Sequence, residues 1–220
     1  MSADRKADLA ENLRLVEARI SEALRKSKRS RDELTLVVVT KTFPVEDVRL
    51  LYDLGVREFG ENRDQEGASK APLLPHDARW HFQGQIQSRK LPSILSWART
   101  VHSIDSLEHA RKIHSRGETD HEFFLQVNCE EAAEHRGGVQ IANIESFLND
   151  SPLHITGLMV VPPLESDPRR IFSEMTQLAN RFSLQKISMG MSGDFEIAIE
   201  EGATHIRVGS SILGSRAGLA

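Results

Sequence analysis

This chain of 220 residues has a single cysteine, no long apolar run and no strong excess of charge of either sign. Its single cysteine, Cys129, excludes an internal disulfide and a cysteine-based zinc site, which points to a reducing compartment. No apolar stretch reaches the length of a membrane span, and the amino terminus lacks the apolar core of a signal peptide. A net charge of −4 gives no reason to expect nucleic acid. The sequence therefore predicts a cytoplasmic protein with neither a membrane nor a nucleic acid as partner.

Several common signatures of catalysis are absent too. The nine histidines are scattered without an H-E-x-x-H motif or a comparable close pair, so no metal site is predicted. There is no G-x-S-x-G elbow, no P-loop and no nucleotide fingerprint. The sequence thus gives no support for a metalloenzyme, a serine hydrolase or a nucleotide-binding protein.

Alternating strand-like and helix-like stretches dominate what is present. With 39% hydrophobic residues, the chain can bury one full core, and nothing divides residues 1–220 into two domains. Apolar residues at helical spacing between Leu9 and Leu24 predict a helix before the first strand. Strands are predicted over residues 34–40, 56–60, 79–83, 100–103, 122–128, 154–160, 184–190 and 204–209. About eight strands, each followed by a helix, predict a single-domain (β/α)8 TIM barrel of the α/β class.

One lysine, Lys41, follows the most hydrophobic run of the chain, Leu34–Thr40. Such a run without alternation is typical of a parallel strand buried on both faces, and ligands of α/β folds bind beyond the carboxyl ends of these strands. A lysine at a strand end is more often merely solvated when it is considered alone. Its position nevertheless makes Lys41 a candidate ligand-binding residue.

Polar and small residues follow the ends of other predicted strands. The segments after strands 7 and 8 are rich in Gly and Ser and open into helices, where backbone N–H groups can bind phosphate. Helix capping by Ser192 or Ser210 would explain either segment alone, but the two together favour a phosphate site. The candidate binding residues besides Lys41 are Asn62, His81, Met189, Ser192, Gly193, Arg207, Gly209 and Ser210.

An amine opposite a phosphate site suits a phosphorylated aldehyde held as a Schiff base, and pyridoxal 5′-phosphate is the obvious candidate. Arg207 is placed to contact either the ring nitrogen or the phosphate of that cofactor. Arginine can only donate hydrogen bonds, so a ring nitrogen facing it is not protonated and the ring becomes a poor electron sink. Such a site would hold the cofactor but drive carbanion chemistry weakly.

Several ordered motifs resemble one known family. They are Val37–Thr42, Phe59–Asn62, Trp80–Ser88, Ser188–Asp194 and Gly202–Gly209. Together they are similar to the YggS/PROSC-type pyridoxal-phosphate-binding proteins, also called PLP homeostasis proteins, over nearly the whole chain. The resemblance implies one cofactor-binding TIM barrel over residues 1–220, similar to the alanine racemase N-terminal domain, with the cofactor on Lys41. It also implies a role in vitamin B6 and amino-acid homeostasis with little or no turnover, with PLP-dependent enzymes as recipients and a monomeric state.

Two other functions remain open. One is a PLP-dependent amino-acid racemase or lyase that uses Lys41 with His81 as a base, and the other is a Schiff-base aldolase acting on a phosphorylated sugar. Because the sequence ends at Ala220, without the second domain of alanine racemases, a two-base racemase is not expected. The sequence departs from the family pattern at His135, where a lysine is usual, and at Arg63, where an aromatic residue is commoner.

Overall fold

Strands and helices alternate through residues 2–117, 120–130 and 137–214, the parts of the chain that the computed structural model describes. The strands are β1 (Thr35–Val39), β2 (Glu58–Glu61), β3 (Arg79–Phe82), β4 (Thr100–Ile104), β5 (Glu122–Asn128), β6 (Val139–Gln140), β7 (Ile155–Val160), β8 (Lys186–Ser188) and β9 (His205–Val208). The helices are α1 (Ser2–Lys26), α2 (Val45–Asp53), α3 (Asp64–Lys70), α4 (Leu91–Trp97), α5 (Leu107–His114), α6 (Ile144–Asp150), α7 (Pro168–Arg181), α8 (Phe195–Glu200) and α9 (Ser210–Leu213).

Eight of these strands close into a parallel barrel. The strand order is β4-β3-β2-β1-β9-β8-β7-β5, and a further pairing of β4 with β5 closes the ring. The predicted (β/α)8 barrel is confirmed. The short β6 pairs with the end of β5 outside this ring, and the sequence pattern did not predict it.

Side chains of each strand alternate between an outer core and the barrel interior. We use outer core for the buried apolar residues packed between strands and helices, such as Ile206 and Val208 of β9. The barrel interior consists of Val37, His81, His102, Phe124, Ser188, His205 and Arg207, all 5% exposed or less. These side chains fill the barrel from its amino end, where His81 and His205 lie, to the carboxyl ends of the strands, where Arg207 and most of the candidate residues lie.

The helices complete the outer core. On α7 the fully or nearly buried residues are Phe172, Met175 and Ala179, and burying one such phenylalanine stabilises the fold by about 1.5–3 kcal/mol. The expected amino-terminal helix is α1, which packs against α2, α8 and α9. None of the helices in the described residues is long and apolar enough to cross a membrane.

Candidate functional site

A cavity of about 330 Å³ opens at the carboxyl ends of the strands, and it has the size of a small-molecule site. Its walls come from the segments that follow β1, β2, β3, β7, β8 and β9. The lining residues are Val39, Lys41, Phe43, Asn62, Gln83, Met159, Val161, Met191, Ser192, Gly193, Arg207, Gly209, Ser210 and Gly214.

Seven of the nine candidate residues come together here: Lys41, Asn62, Ser192, Gly193, Arg207, Gly209 and Ser210. Met189 does not line the cavity. It follows the inward-facing Ser188, so its side chain points the opposite way and is fully buried in the outer core.

His81 also lies away from the cavity, and its expected position is corrected. Its side chain does face the barrel interior, as does Gln83 two residues later, but Gln83 alone of these two reaches the cavity. Two residues along a strand correspond to a rise of about 6.6 Å, so His81 lies one layer deeper, facing the other end of the barrel.

The backbone on both sides of Lys41 is held by two charged side chains of α3. The Lys70 ammonium donates to the Thr40 carbonyl at 2.9 Å, and the Glu66 carboxylate accepts from the Thr42 amide at 2.6 Å. Because these contacts flank Lys41 directly, they fix the direction in which its side chain leaves the strand.

A third charge completes this cluster. Glu61, which is fully buried, accepts from Lys70 at 2.6 Å and from the Thr40 hydroxyl at 2.7 Å. Burial raises the pKa of the Glu61 carboxyl above its ordinary value, while the Lys70 ammonium opposes that rise. The cluster of Glu61, Glu66 and Lys70 therefore stabilises the local backbone only as long as all its charges are paired.

Thr42 adopts a strained backbone conformation, with φ at +68°. Positive φ is unfavourable for a β-branched residue and persists only where its surroundings enforce it. The hydrogen bond from the Thr42 amide to Glu66 is such a constraint. The turn beside Lys41 therefore has a backbone conformation that is locally unfavourable but is held in place by the contact with Glu66.

Arg207 supplies a buried positive charge to the cavity. It donates to the Ser188 hydroxyl at 2.7 Å and to the Val160 carbonyl at 2.9 Å. Burial lowers the pKa of Arg207 to about 10, which still leaves the guanidinium charged at neutral pH. The site thus combines a fixed cation with the amine of Lys41.

The two Gly- and Ser-rich segments lie side by side at the rim. The Ser192 hydroxyl accepts from the Gly209 amide at 3.3 Å and from the Ser211 amide at 3.4 Å. These distances are at the long end for such bonds, so both N–H groups remain good donors for a bound anion. A Cβ on Gly193 would meet no atom within 4 Å, so this part of the rim is open.

Close backbone approach shapes the opposite wall. A Cβ on Gly84 would lie 1.9 Å from the Asn62 carbonyl oxygen, so only glycine fits where β2 and β3 end. Beside it, the buried Nε2 of Gln83 has no hydrogen-bond partner among the described residues. An orphaned buried donor next to a cavity is satisfied when a ligand with an acceptor group binds.

These residues fit a phosphorylated aldehyde. Lys41 offers the amine, Arg207 the cation and the segments around Ser192 and Gly209 the donors for an anion. All three features line one cavity.

A larger cleft of about 1210 Å³ lies at the opposite end of the barrel, and we call it the amino-end cleft. The first residues of several strands line it, including Glu58, Glu122 and Lys186. Its charges pair with one another: Glu58 contacts Arg79 at 3.1 Å, and Lys186 contacts Glu122. Within the described ranges, no three His, Cys, Asp or Glu side chains are grouped to hold a metal. Despite its size, the cleft is less suited to a ligand than the cavity.

Some residues of the site escaped the sequence reasoning. The cavity residue Phe43 carries no charge that singles it out, whereas Glu66 and Lys70 form an i,i+4 pair that any surface helix could show. Only the fold reveals that this pair is turned inward against the Lys41 turn.

The two departures from the family pattern have different outcomes. Arg63 has a largely exposed side chain, 3.5 Å from Glu66, and it does not line the cavity. His135 lies outside the described residues.

A comparison with known protein families shows which class of fold this chain has. A family model described as alanine racemase, N-terminal domain, matches residues 7–217. Alanine racemase from Corynebacterium glutamicum shares this fold with a TM-score of 0.69 and 17% identity, covering 98% of this chain and 63% of that one.

Relatives with higher identity define the family more closely. The pyridoxal phosphate homeostasis protein of Corynebacterium glutamicum is 39% identical over 91% of this chain and 99% of that protein. The one from Escherichia coli is 32% identical, covering 95% and 97%. The structure of PipY from Synechococcus elongatus with PLP bound has a TM-score of 0.80 and 29% identity, covering 94% of this chain and all of that one, 100%. The chain belongs to the family of pyridoxal phosphate homeostasis proteins.

Proposed function

We propose that this protein binds pyridoxal 5′-phosphate as a Schiff base on Lys41 and acts in intracellular vitamin B6 and amino-acid homeostasis. The observation that carries the proposal is that Lys41, Arg207 and the two Gly- and Ser-rich segments line one cavity. The names of the relatives and the PLP-bound structure of PipY support it.

Each group has a separate role in this proposal. The segments with Ser192–Gly193 and Gly209–Ser210 donate backbone N–H groups to the phosphate, and Arg207 donates to an acceptor of the ligand. Asn62 and Gln83 contribute amide groups to the opposite wall. The Glu61, Glu66 and Lys70 cluster orients Lys41 without touching the ligand.

Little turnover is part of the proposal. Bound pyridoxal phosphate supplies an aldehyde for an amine and a ring that can withdraw electrons. Among the described lining residues, no histidine, aspartate or glutamate stands beside Lys41 as a second base. The racemase or lyase alternative required a second base, and His81, which was its candidate, lies one layer below the cavity. A carrier is therefore better supported than an enzyme.

The remaining parts of the function concern the cellular setting. We include in the proposal that the protein is cytoplasmic and monomeric and passes its cofactor to PLP-dependent enzymes. One cysteine in 220 residues supports a reducing compartment.

The test is the visible absorbance of the purified protein with pyridoxal phosphate, before and after borohydride reduction, followed by mass analysis of the peptide that carries Lys41. A Schiff base gives a visible band that borohydride removes, and reduction leaves a pyridoxyl group on Lys41. Lys41→Ala should abolish both signals, because no other lysine lines the cavity in the described residues.

Lys26→Ala is the matched control, since Lys26 is an exposed lysine on α1. It should leave the band and the adduct unchanged. A wild-type protein that stays colourless and forms no adduct after pyridoxal phosphate is added would overturn the proposal. Covalent trapping of sugar phosphates by borohydride, without trapping of pyridoxal phosphate, would favour the aldolase. Exchange of the α-hydrogen of amino acids with solvent deuterium at enzymatic rates would favour the racemase or lyase.

A further inference from the structure

A continuous chain of hydrogen bonds crosses the barrel interior from the cavity to the amino-end cleft. Arg207 contacts the Ser188 hydroxyl at 2.7 Å, and that hydroxyl contacts Nδ1 of His102 at 2.8 Å. Nε2 of His102 contacts Nδ1 of His81 at 2.9 Å, and Nε2 of His81 contacts the Glu58 carboxylate at 2.9 Å. Three side chains, Ser188, His102 and His81, therefore connect the guanidinium at one end of the barrel with the Glu58 carboxylate at the other.

The two ends of this chain dictate its direction. A guanidinium can only donate, so the Ser188 oxygen accepts from Arg207 and its own hydrogen is left for His102. A carboxylate can only accept, so His81 donates to Glu58 through Nε2. An imidazole that carries a single N–H has one donor and one acceptor, so the two inner links follow: Ser188 donates to Nδ1 of His102, and Nε2 of His102 donates to Nδ1 of His81.

Burial makes this arrangement strict. His102 and Ser188 are fully buried, so no water competes for their polar atoms, and His81 is 3% exposed where it meets the amino-end cleft. Phe124 stacks on the His102 ring at 4.6 Å between ring centroids, and the His205 ring lies 6.0 Å away. Burial, with His81, His205 and Arg207 nearby, holds the pKa of His102 well below its ordinary value and keeps its ring neutral. A misdirected hydrogen bond here would leave a buried group unpaired, which is costly.

We propose that Ser188, His102, His81 and Glu58 form one directional hydrogen-bond chain that positions Arg207 for the ligand and fixes both imidazoles as Nε2–H tautomers. These four are positioning residues, because they act on the ligand through Arg207. The effect on the ligand rests on the proposed function, whereas the tautomers are a property of the protein alone.

The first experiment therefore needs no cofactor. The protein carries ¹⁵N-labelled histidine, and long-range ¹H–¹⁵N correlation spectra at mildly alkaline pH distinguish the two neutral tautomers of each ring. His102→Gln and His81→Gln assign the two sets of signals. We expect both rings to give the pattern of the Nε2–H tautomer. An Nδ1–H pattern for His102 would reverse the chain and overturn the proposal.

The second experiment interrupts the chain at its link to Arg207. Ser188→Ala removes the hydroxyl that joins Arg207 to His102 and changes little volume. We expect the Nδ1 signal of His102 to shift, because this nitrogen no longer accepts a hydrogen bond, while the Nε2–H pattern persists because Glu58 still sets the direction of the chain. The dissociation constant for pyridoxal phosphate should rise about ten-fold, because the charged guanidinium loses one of its anchoring bonds.

Ser103→Ala is the matched control. Ser103 is also a buried serine of a barrel strand, β4, and is 1% exposed, but its hydroxyl has no hydrogen-bond partner in the part of the chain that the structure describes. It should change neither the histidine spectra nor the cofactor affinity. Equal effects of Ser188→Ala and Ser103→Ala would overturn the proposal. If the tautomers are as expected but the wild-type protein binds no pyridoxal phosphate, the chain stands and the proposed function fails.

Discussion

The outer core and the barrel interior of this protein are built from opposite kinds of residue. Side chains of the outer core are almost all apolar, as with Phe59 and Ile206 on the strands and Phe172 on α7. Side chains that face the barrel axis include three histidines, an arginine and a serine, all nearly excluded from water. One sheet thus separates a region suited to stability from a region suited to positioning a ligand.

Burial affects the free energy of folding differently in the two regions. Apolar packing in the outer core gains free energy from burial, in any orientation that fills space. Polar groups in the interior gain little net free energy unless every donor meets an acceptor, and they fix specific directions when they do. The interior can therefore orient Arg207, whereas the outer core could not.

The outer side of the sheet also holds a charged cluster. Glu61, Glu66 and Lys70 lie between β2 and α3, directly behind the turn that carries Lys41. The location of this cluster supports the same division, because its charges hold the backbone on both sides of Lys41. Four substitutions test this contrast between the regions.

The largest effect on stability is expected in the outer core. Phe172→Ala leaves a cavity at a fully buried position of α7 and should lower the free energy of unfolding by about 3–5 kcal/mol. Denaturant titration measures this change, and Leu15→Ala, at an exposed position of α1, should alter it by less than about 0.5 kcal/mol. The folded variant should keep the visible band of the bound cofactor; loss of the band in folded protein would refute the separation of the two regions.

The charged cluster should come next. Lys70→Met leaves Glu61 buried without its cation, and we expect a loss of about 3 kcal/mol, at the low end for a buried pair because Glu66 is partly exposed. Lys112→Met is the matched control, because Lys112 also pairs with a glutamate at i,i+4 but on the surface. That control should cost about 0.5 kcal/mol or less. Similar losses for both variants would contradict a special role for the cluster.

Two buried histidines of the interior, His102 and His205, should make stability fall in acid, because burial lowers the pKa of both. Burial lowers the pKa of His205 from 6.5 to about 3, so between these values the unfolded chain binds a proton that the folded protein does not. Stability therefore decreases as pH falls through this window, by about 1.4 kcal/mol per pH unit for each such histidine.

His205→Gln should reduce the slope of unfolding free energy against pH by about that amount near pH 5, as measured by denaturant titrations across the window. His114→Gln, at an exposed position of α5, should leave the slope unchanged. An unchanged slope in His205→Gln would show that this histidine is protonated in the folded protein.

The smallest effect is expected at the rim of the cavity. Ser192→Ala removes the hydroxyl that orients the Gly209 and Ser211 amides, and it should weaken pyridoxal phosphate binding by about three- to ten-fold. Equilibrium titration of the visible band measures this change, with the exposed Ser146→Ala on α6 as control. A loss as complete as that of Lys41→Ala would mean that the rim, and not Lys41, dominates retention.

Much of this organisation could be predicted from the sequence. The predicted strand over residues 122–128 matches β5 in full, and the expected strand over 204–209 contains β9 with one extra residue at each end. Lys41, Asn62 and Arg207 were found because parallel strands bring their carboxyl ends to one place, whatever the details of packing.

Two of the predicted site residues, His81 and Met189, do not line the cavity, and the physical reason is similar for both. His81 and Met189 were selected by nearness to a strand end, but a side chain also needs the right face and the right depth. Met189 fails on the face and His81 on the depth. β3 has four residues and β8 has three, so each strand shows too few alternating residues to reveal which face a side chain is on. The sequence also leaves the last residue of each strand uncertain by about one or two positions, so it does not fix the depth of a side chain in the barrel.

The sequence by itself determined the barrel, the cavity end at which Lys41 lies and the Gly- and Ser-rich segments across from it, because these follow from local periodicity and from parallel strand topology. The tertiary structure decided which side chains meet: the Glu66 and Lys70 contacts around Lys41, and the hydrogen-bond chain from Arg207 to Glu58. Those contacts join residues far apart in sequence, and their partners are fixed only when closure of the barrel sets the depth and direction of every inward-facing side chain.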